Sequence, residues 1–84
     1  MEITTSFQGR EKCNELKARL SKLSYNPDLR KVLHNIEIMV SEISKIEVIC
    51  RQTKNNSRLD EPLKKLNDSI KHLEQLIFIA TLMN

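Results

Sequence analysis

Glycine occurs once in the 84 residues, proline twice and tryptophan never, and the aromatic side chains are one tyrosine and two phenylalanines. A single glycine excludes every Gly-rich phosphate-binding loop. The scarcity of glycine, proline and aromatics also argues against sheets, whose strands want β-branched and aromatic alternation and whose turns want Gly and Pro. No apolar run approaches the ~20 residues that a membrane span requires. The N-terminal MEITTSFQGREK shows no signal-peptide apolar core. Cysteine appears only as Cys13 and Cys50, both in apolar-periodic segments, which does not resemble the disulfide framework of a small secreted domain. The two read as free thiols serving as small core hydrophobes. A reducing, cytoplasmic or nucleocytoplasmic compartment is therefore expected.

Catalytic groupings are equally scarce. Glu37, Glu42 and Glu47 recur every five residues, so on a helix they spiral instead of converging on one site. They read as surface carboxylates, and general acid–base chemistry is not expected from them. Asp60 and Glu61 suit a helix N-terminus, where negative charge is favoured. His34, His72, Cys13 and Cys50 are capable of binding zinc, but none lies at the close ligand spacing a zinc site needs. No metal, no cofactor and no enzymatic activity are expected.

What is present is helical periodicity. Thr5 followed by Gln8 matches a capping box, and Cys13, Leu16, Leu20 and Leu23 then recur on one helical face. Gly9 falls on that face and, at about 1 kcal/mol below Ala in propensity, is expected to fray the first turn. Asn26-Pro27-Asp28 is a strong start signal, combining an N-cap, a proline at the first helical position and an acid at the positive dipole end. Leu29, Val32, Ile36, Met39, Ile43, Ile46, Cys50 and Thr53 follow at alternating spacings of three and four, flanked by Leu33 and Val40. A stripe that wide packs against two neighbours. Lys54-Asn55-Asn56-Ser57 reads as a loop. Beyond it, Leu59, Leu63, Leu66, Ile70, Leu73, Ile77 and Ala80 resume the four–three pattern.

The expected fold is all-α, a three-helix antiparallel bundle forming one domain, with helices over 6–24, 27–53 and 60–82. The alternative is a long hairpin of the second and third helices that dimerises into a four-helix bundle, leaving the first helix loose.

Two surfaces compete for a functional reading. The tail from Leu76 to Met83 is apolar on every side. Phe78, Ile79 and Leu82 point away from a bundle that Ile77 and Ala80 face. Together with Met83 and Ile38 they are candidates for a protein interface, used by a homo-oligomer or a hetero-complex subunit. The net charge is +3, and the basic excess concentrates in Arg10, Lys12, Lys17, Arg19 and Lys22 and in Arg51, Lys54 and Arg58. Basic clusters are the footprint of phosphate binding, so a small nucleic-acid-binding regulator is the rival reading. Against it, Glu11 and Glu15 interrupt the first cluster, and no aromatic stands among the basic residues to stack on bases. The sequence therefore favours a non-enzymatic helical adaptor or regulatory subunit.

Overall fold

The computed structural model describes residues 2–83. Three helices follow in order: α1 (Ser6–Ser21), α2 (Pro27–Thr53) and α3 (Asp60–Met83), the last preceded by a 3₁₀ turn over Ser57–Leu59. They form a three-helix bundle, a rod of 48 × 17 × 16 Å. Ser6 meets Glu47 and Lys17 meets Glu37, so α1 and α2 run antiparallel. Ile3 meets Asn67 and Lys12 meets Glu74, so α1 and α3 run the same way. The loose-first-helix alternative does not hold in this chain, because α1 buries Cys13, Leu16 and Leu20.

Capping explains the helix starts. Thr5 accepts from the Gln8 amide at 3.2 Å, as the capping box requires. The reciprocal half is displaced by one residue, since Gln8 Oε1 accepts from the Thr4 amide and hydroxyl. Asn26 is extended and accepts from the Asp28 and Leu29 amides, with Pro27 opening α2. Lys54 closes α2 in the left-handed region at φ 56° and donates its amide to the Cys50 carbonyl, leaving the chain free to turn.

Two expectations about α1 fail. It ends at Ser21, three residues short of the expected 24. Asn26 must be extended before Pro27, and the residues ahead of it reverse the chain, so Leu23 reaches the core from the link instead of from a helix. Gly9, expected to fray, is buried and helical. A Cβ there would lie 3.0 Å from Val40 Cγ2 and 3.2 Å from Leu66 Cδ2. The single glycine lets α1 pack tightly against α2 and α3 at this point.

The core is made of Leu16, Leu20, Leu29, Leu33, Ile36, Val40, Ile43, Leu66, Ile70, Leu73 and Ile77, with Ile3 and Cys13. The α2 stripe divides in a way its spacing alone does not show. Leu29, Ile36 and Ile43 are central, and Leu33 and Val40 are buried beside them, with Val40 under Gly9. Val32, Met39 and Ile46 are only half-buried and Thr53 is exposed. The shorter α1 occupies one side of the α2–α3 hairpin and leaves the opposite edge of the stripe uncovered.

Glu47 departs most from its expected role as a surface carboxylate. It accepts from the Ser6 amide at 2.9 Å through one oxygen and from the Ser6 hydroxyl through the other. A carboxylate on α2 thus satisfies the first turn of α1, where the helix dipole favours negative charge. Glu47→Ala is expected to cost about 1–3 kcal/mol, the penalty for stranding partly buried donors. Glu42→Ala, on an exposed site, is expected to stay within about 0.5 kcal/mol. Urea denaturation of the two variants checks the contrast.

Candidate functional site

The C-terminal end of α3 lies beside the end of α1, where Arg19 and Lys22 share a depression with Phe78 and Thr81. Ile77 and Ala80 turn inward against the core. A helix advances 100° per residue, so the next positions face outward. Phe78 is 60% exposed, Ile79 51%, Leu82 70% and Met83 82%. The four form two adjacent columns, Phe78 over Leu82 and Ile79 over Met83. Between Lys71 and Met83 the only formal charge is Glu74, so the patch carries no charged side chain. Four large apolar side chains at one place, each worth about 1.5–3 kcal/mol on burial, are uncommon on a solvated face.

The patch has two distinct flanks. Phe78 borders a surface depression of about 390 Å³ that it shares with Arg19, Lys22, Leu23, Ile77 and Thr81. Here Arg19 of α1 and Lys22 at its C-cap share the depression with the ring. Ile79 and Met83 lie on the α2 side of α3. The fifth interface candidate does not join them. Ile38 is 45% exposed, but its neighbour Met39 lines a depression with Asp68, Ser69 and His72. That places it roughly 12 Å along the rod from Phe78 at 1.5 Å per residue. By helical phase it faces away from α3.

The basic residues are divided among different tasks. Lys12 Nζ sits 3.2 Å from Glu15 and 3.3 Å from Glu74, and Arg19 reaches the same Glu74 oxygen at 3.7 Å. Lys17 pairs with Glu37 of α2 at 3.8 Å. Arg10 lines the α1–α2 side with Cys13, Asn14 and Glu37, while Lys22 stands by Phe78. The four cations of α1 and Lys22 at its C-cap therefore splay to both sides of the helix, and three of the five pair with carboxylates. Arg51, Lys54 and Arg58 are exposed at the α2–α3 tip. Arg51 lies about 15 Å along α2 from the level of Arg10, which shares a depression with Val40 and Ser41, by the same helical rise. The two basic clusters do not merge into one surface.

Lys12 and Cys13 titrate abnormally. Burial works to lower the Lys12 pKa, but its hydrogen bonds to Glu15 and Glu74 and their charges outweigh it, holding the ammonium above the ordinary lysine range. Burial pushes the Cys13 thiol up, Glu37 adds to the effect and Lys17 opposes it. Both groups hold their proton more tightly folded than unfolded. Their stabilisation is complete at neutral pH and is lost as pH rises, beginning near the free thiol's ~8.5 and continuing past lysine's ~10.4. Melting temperature is expected to be level between about pH 7 and 8 and to fall above about pH 9. Lys12→Met should flatten the upper part of that fall, and Cys13→Ala its onset.

Sequence reasoning misses one polar fixture altogether. The Ile3 amide donates to Asn67 Oδ1 at 2.7 Å, and Asn67 Nδ2 donates back to the Ile3 carbonyl at 2.9 Å. This two-way clip pins the segment before α1 to α3 and buries the Ile3 side chain. The available signal was Asn67 itself, a poor helix former in mid-helix, where such residues commonly bond to backbone.

Cys13 and Cys50 are buried free thiols. Among the described residues no three His, Cys, Asp or Glu side chains converge as a metal site. No helix among them is long and apolar enough to cross a membrane. No protein-family model matches this chain, and no curated protein or solved structure shows significant similarity to it.

Proposed function

We propose that this chain is a non-enzymatic protein-interaction module, a small helical adaptor or regulatory subunit whose contact surface is the C-terminal end of α3. One observation carries the reading. Phe78, Ile79, Leu82 and Met83 stand together, more than half exposed, on a helix whose opposite face is fully packed. Helix-in-groove and helix-on-helix contacts use apolar columns of this kind, with neighbouring side chains one turn apart. The nucleic-acid reading is weaker, because Lys12, Lys17 and Arg19 already hold Glu15, Glu74 and Glu37 and their charge is locally offset.

The test is a Phe78→Ser, Ile79→Lys, Leu82→Glu triple variant compared with wild type by light scattering and thermal melting. The reading expects a folded, helical variant that has lost oligomerisation or a copurifying partner. A variant that unfolds, beside a monodisperse wild-type monomer with no partner, would make the tail part of the core and remove the interface. The rival reading has its own signature. Oligonucleotide binding would weaken with salt, at a log–log slope of roughly −0.9 per neutralised phosphate on duplex DNA. Absent or salt-insensitive binding is expected here.

A further inference from the structure

A groove runs between α2 and α3 on the side that α1 leaves uncovered. Two depressions of about 430 and 330 Å³ share Met39 and merge along it. Its α2 wall is Val32, Met39 and Ile46, and its α3 wall is Pro62, Ser69 and Leu76, all half-buried. Both walls repeat every seven residues, the period of a helix seam that another helix can fill. The depressions put Ile46 level with Pro62 and Met39 with Ser69, and one heptad further the same register brings Val32 level with Leu76. Glu42 on the α2 rim and Lys65 on the α3 rim share that register and line the same depression.

We infer that a second copy of this chain fills the groove, with the two-fold axis running along the rod, so that two hairpins form a four-helix core with α1 outside on each. The charges select this symmetry. With the axis along the rod, every level meets its own level, and α2 of one copy faces α3 of the other. Glu42 then meets Lys65 of the second copy, and Lys65 meets its Glu42, giving two ion pairs per dimer. The apolar walls match in the same arrangement: Val32 against Leu76, Ile46 against Pro62 and the long Met39 over the small Ser69. An axis perpendicular to the rod would carry Glu42 away from Lys65 and lose both pairs. The area is adequate for a moderate dimer. The strip continues along the α3 heptad to Met83, about 30 Å by two helix widths, or on the order of 600 Å² per copy, against ~800 Å² for a standard interface.

Because Met83 belongs to both surfaces, this inference rests on the interaction reading above and names its partner. Sedimentation equilibrium of the full chain from about 5 µM to about 500 µM tests it, since interfaces of this size span that affinity range. The wild type is expected to pass from a 9.8 kDa monomer to a dimer. Glu42→Lys and Lys65→Glu should each weaken association by about 10-fold or more, because each places like charges together at two symmetric contacts. The combined Glu42→Lys, Lys65→Glu chain should recover to within about 3-fold of wild type, the signature of direct coupling. Both residues are exposed, so the variants keep the fold. A wild type that stays monomeric throughout overturns the inference, while the tail variant still decides the interaction reading. A dimer indifferent to the charge changes but lost in the tail variant places the second copy on the tail, and overturns the groove assignment alone.

Discussion

Ile43→Asp is expected to leave the chain unfolded at room temperature. Ile43 is 1% exposed at the middle of α2. Truncating an isoleucine there costs about 2–5 kcal/mol through lost transfer energy and the cavity that remains. A carboxylate placed in the cavity has neither water nor a cationic partner, which adds several kcal/mol more. A domain of 84 residues has about 4–12 kcal/mol in total at 0.05–0.15 kcal/mol per residue. The sum exceeds or matches that margin. Circular dichroism should show loss of the helical signal, or its survival only in a stabilising osmolyte. Ile38→Asp supplies the control, because Ile38 is 45% exposed on the outer face of the same helix and should lose less than about 1 kcal/mol. Equal losses at the two positions would mean that the helical phase of α2 is wrong.

Gly9→Leu should be nearly as damaging, for the opposite reason. The first atom of any side chain at this site already meets Val40 at 3.0 Å and Leu66 at 3.2 Å. Val40 is itself buried and β-branched, so it has one favoured rotamer and little room to yield. Three further carbons would force α1 off the hairpin, at a cost of about 3 kcal/mol or more, the upper end for overpacked cores. Gly9→Ala separates the two views of this residue. Helix propensity alone predicts about 1 kcal/mol of added stability, whereas the close packing predicts a neutral or negative result. Gly9→Ala combined with Val40→Ala should then be less harmful than the sum of the single changes, because the smaller neighbour opens space for the methyl.

The fold class was legible because three independent signals agreed: the Asn26-Pro27-Asp28 start, the polar link from Lys54 to Ser57, and four–three spacing on either side. Periodicity places Leu16, Ile36, Ile43, Leu73 and Ile77 in the core, and all five are fully buried. It cannot rank positions within a wide stripe. Val32, Met39 and Ile46 share the spacing of Ile36 and Ile43 but lie on the margin, because which edge a third helix covers is a tertiary fact. Gly9 departs from its expected fraying for a similar reason. Propensity prices a glycine by what it costs its own helix, and the reward for a close approach appears only once the neighbours are in place. Glu47 and Asn67 act across 41 and 64 residues of sequence, a separation that no local pattern encodes. The outward direction of Phe78, Ile79 and Leu82, by contrast, followed from counting 100° per residue. The separation of Ile38 from them needed the length of the rod.

Methyl-detected NMR across a dilution series tests most directly the claim that the apolar surfaces left over by the fold are contact surfaces between chains. The account predicts that methyl signals of Met39, Leu76, Ile79, Leu82 and Met83 shift with protein concentration. Those of Leu16, Leu66 and Leu73, fully buried within one chain and away from the groove, should hold still. A spectrum in which no methyl moves between the most dilute and most concentrated samples would contradict the account, as would one in which core and surface methyls move alike.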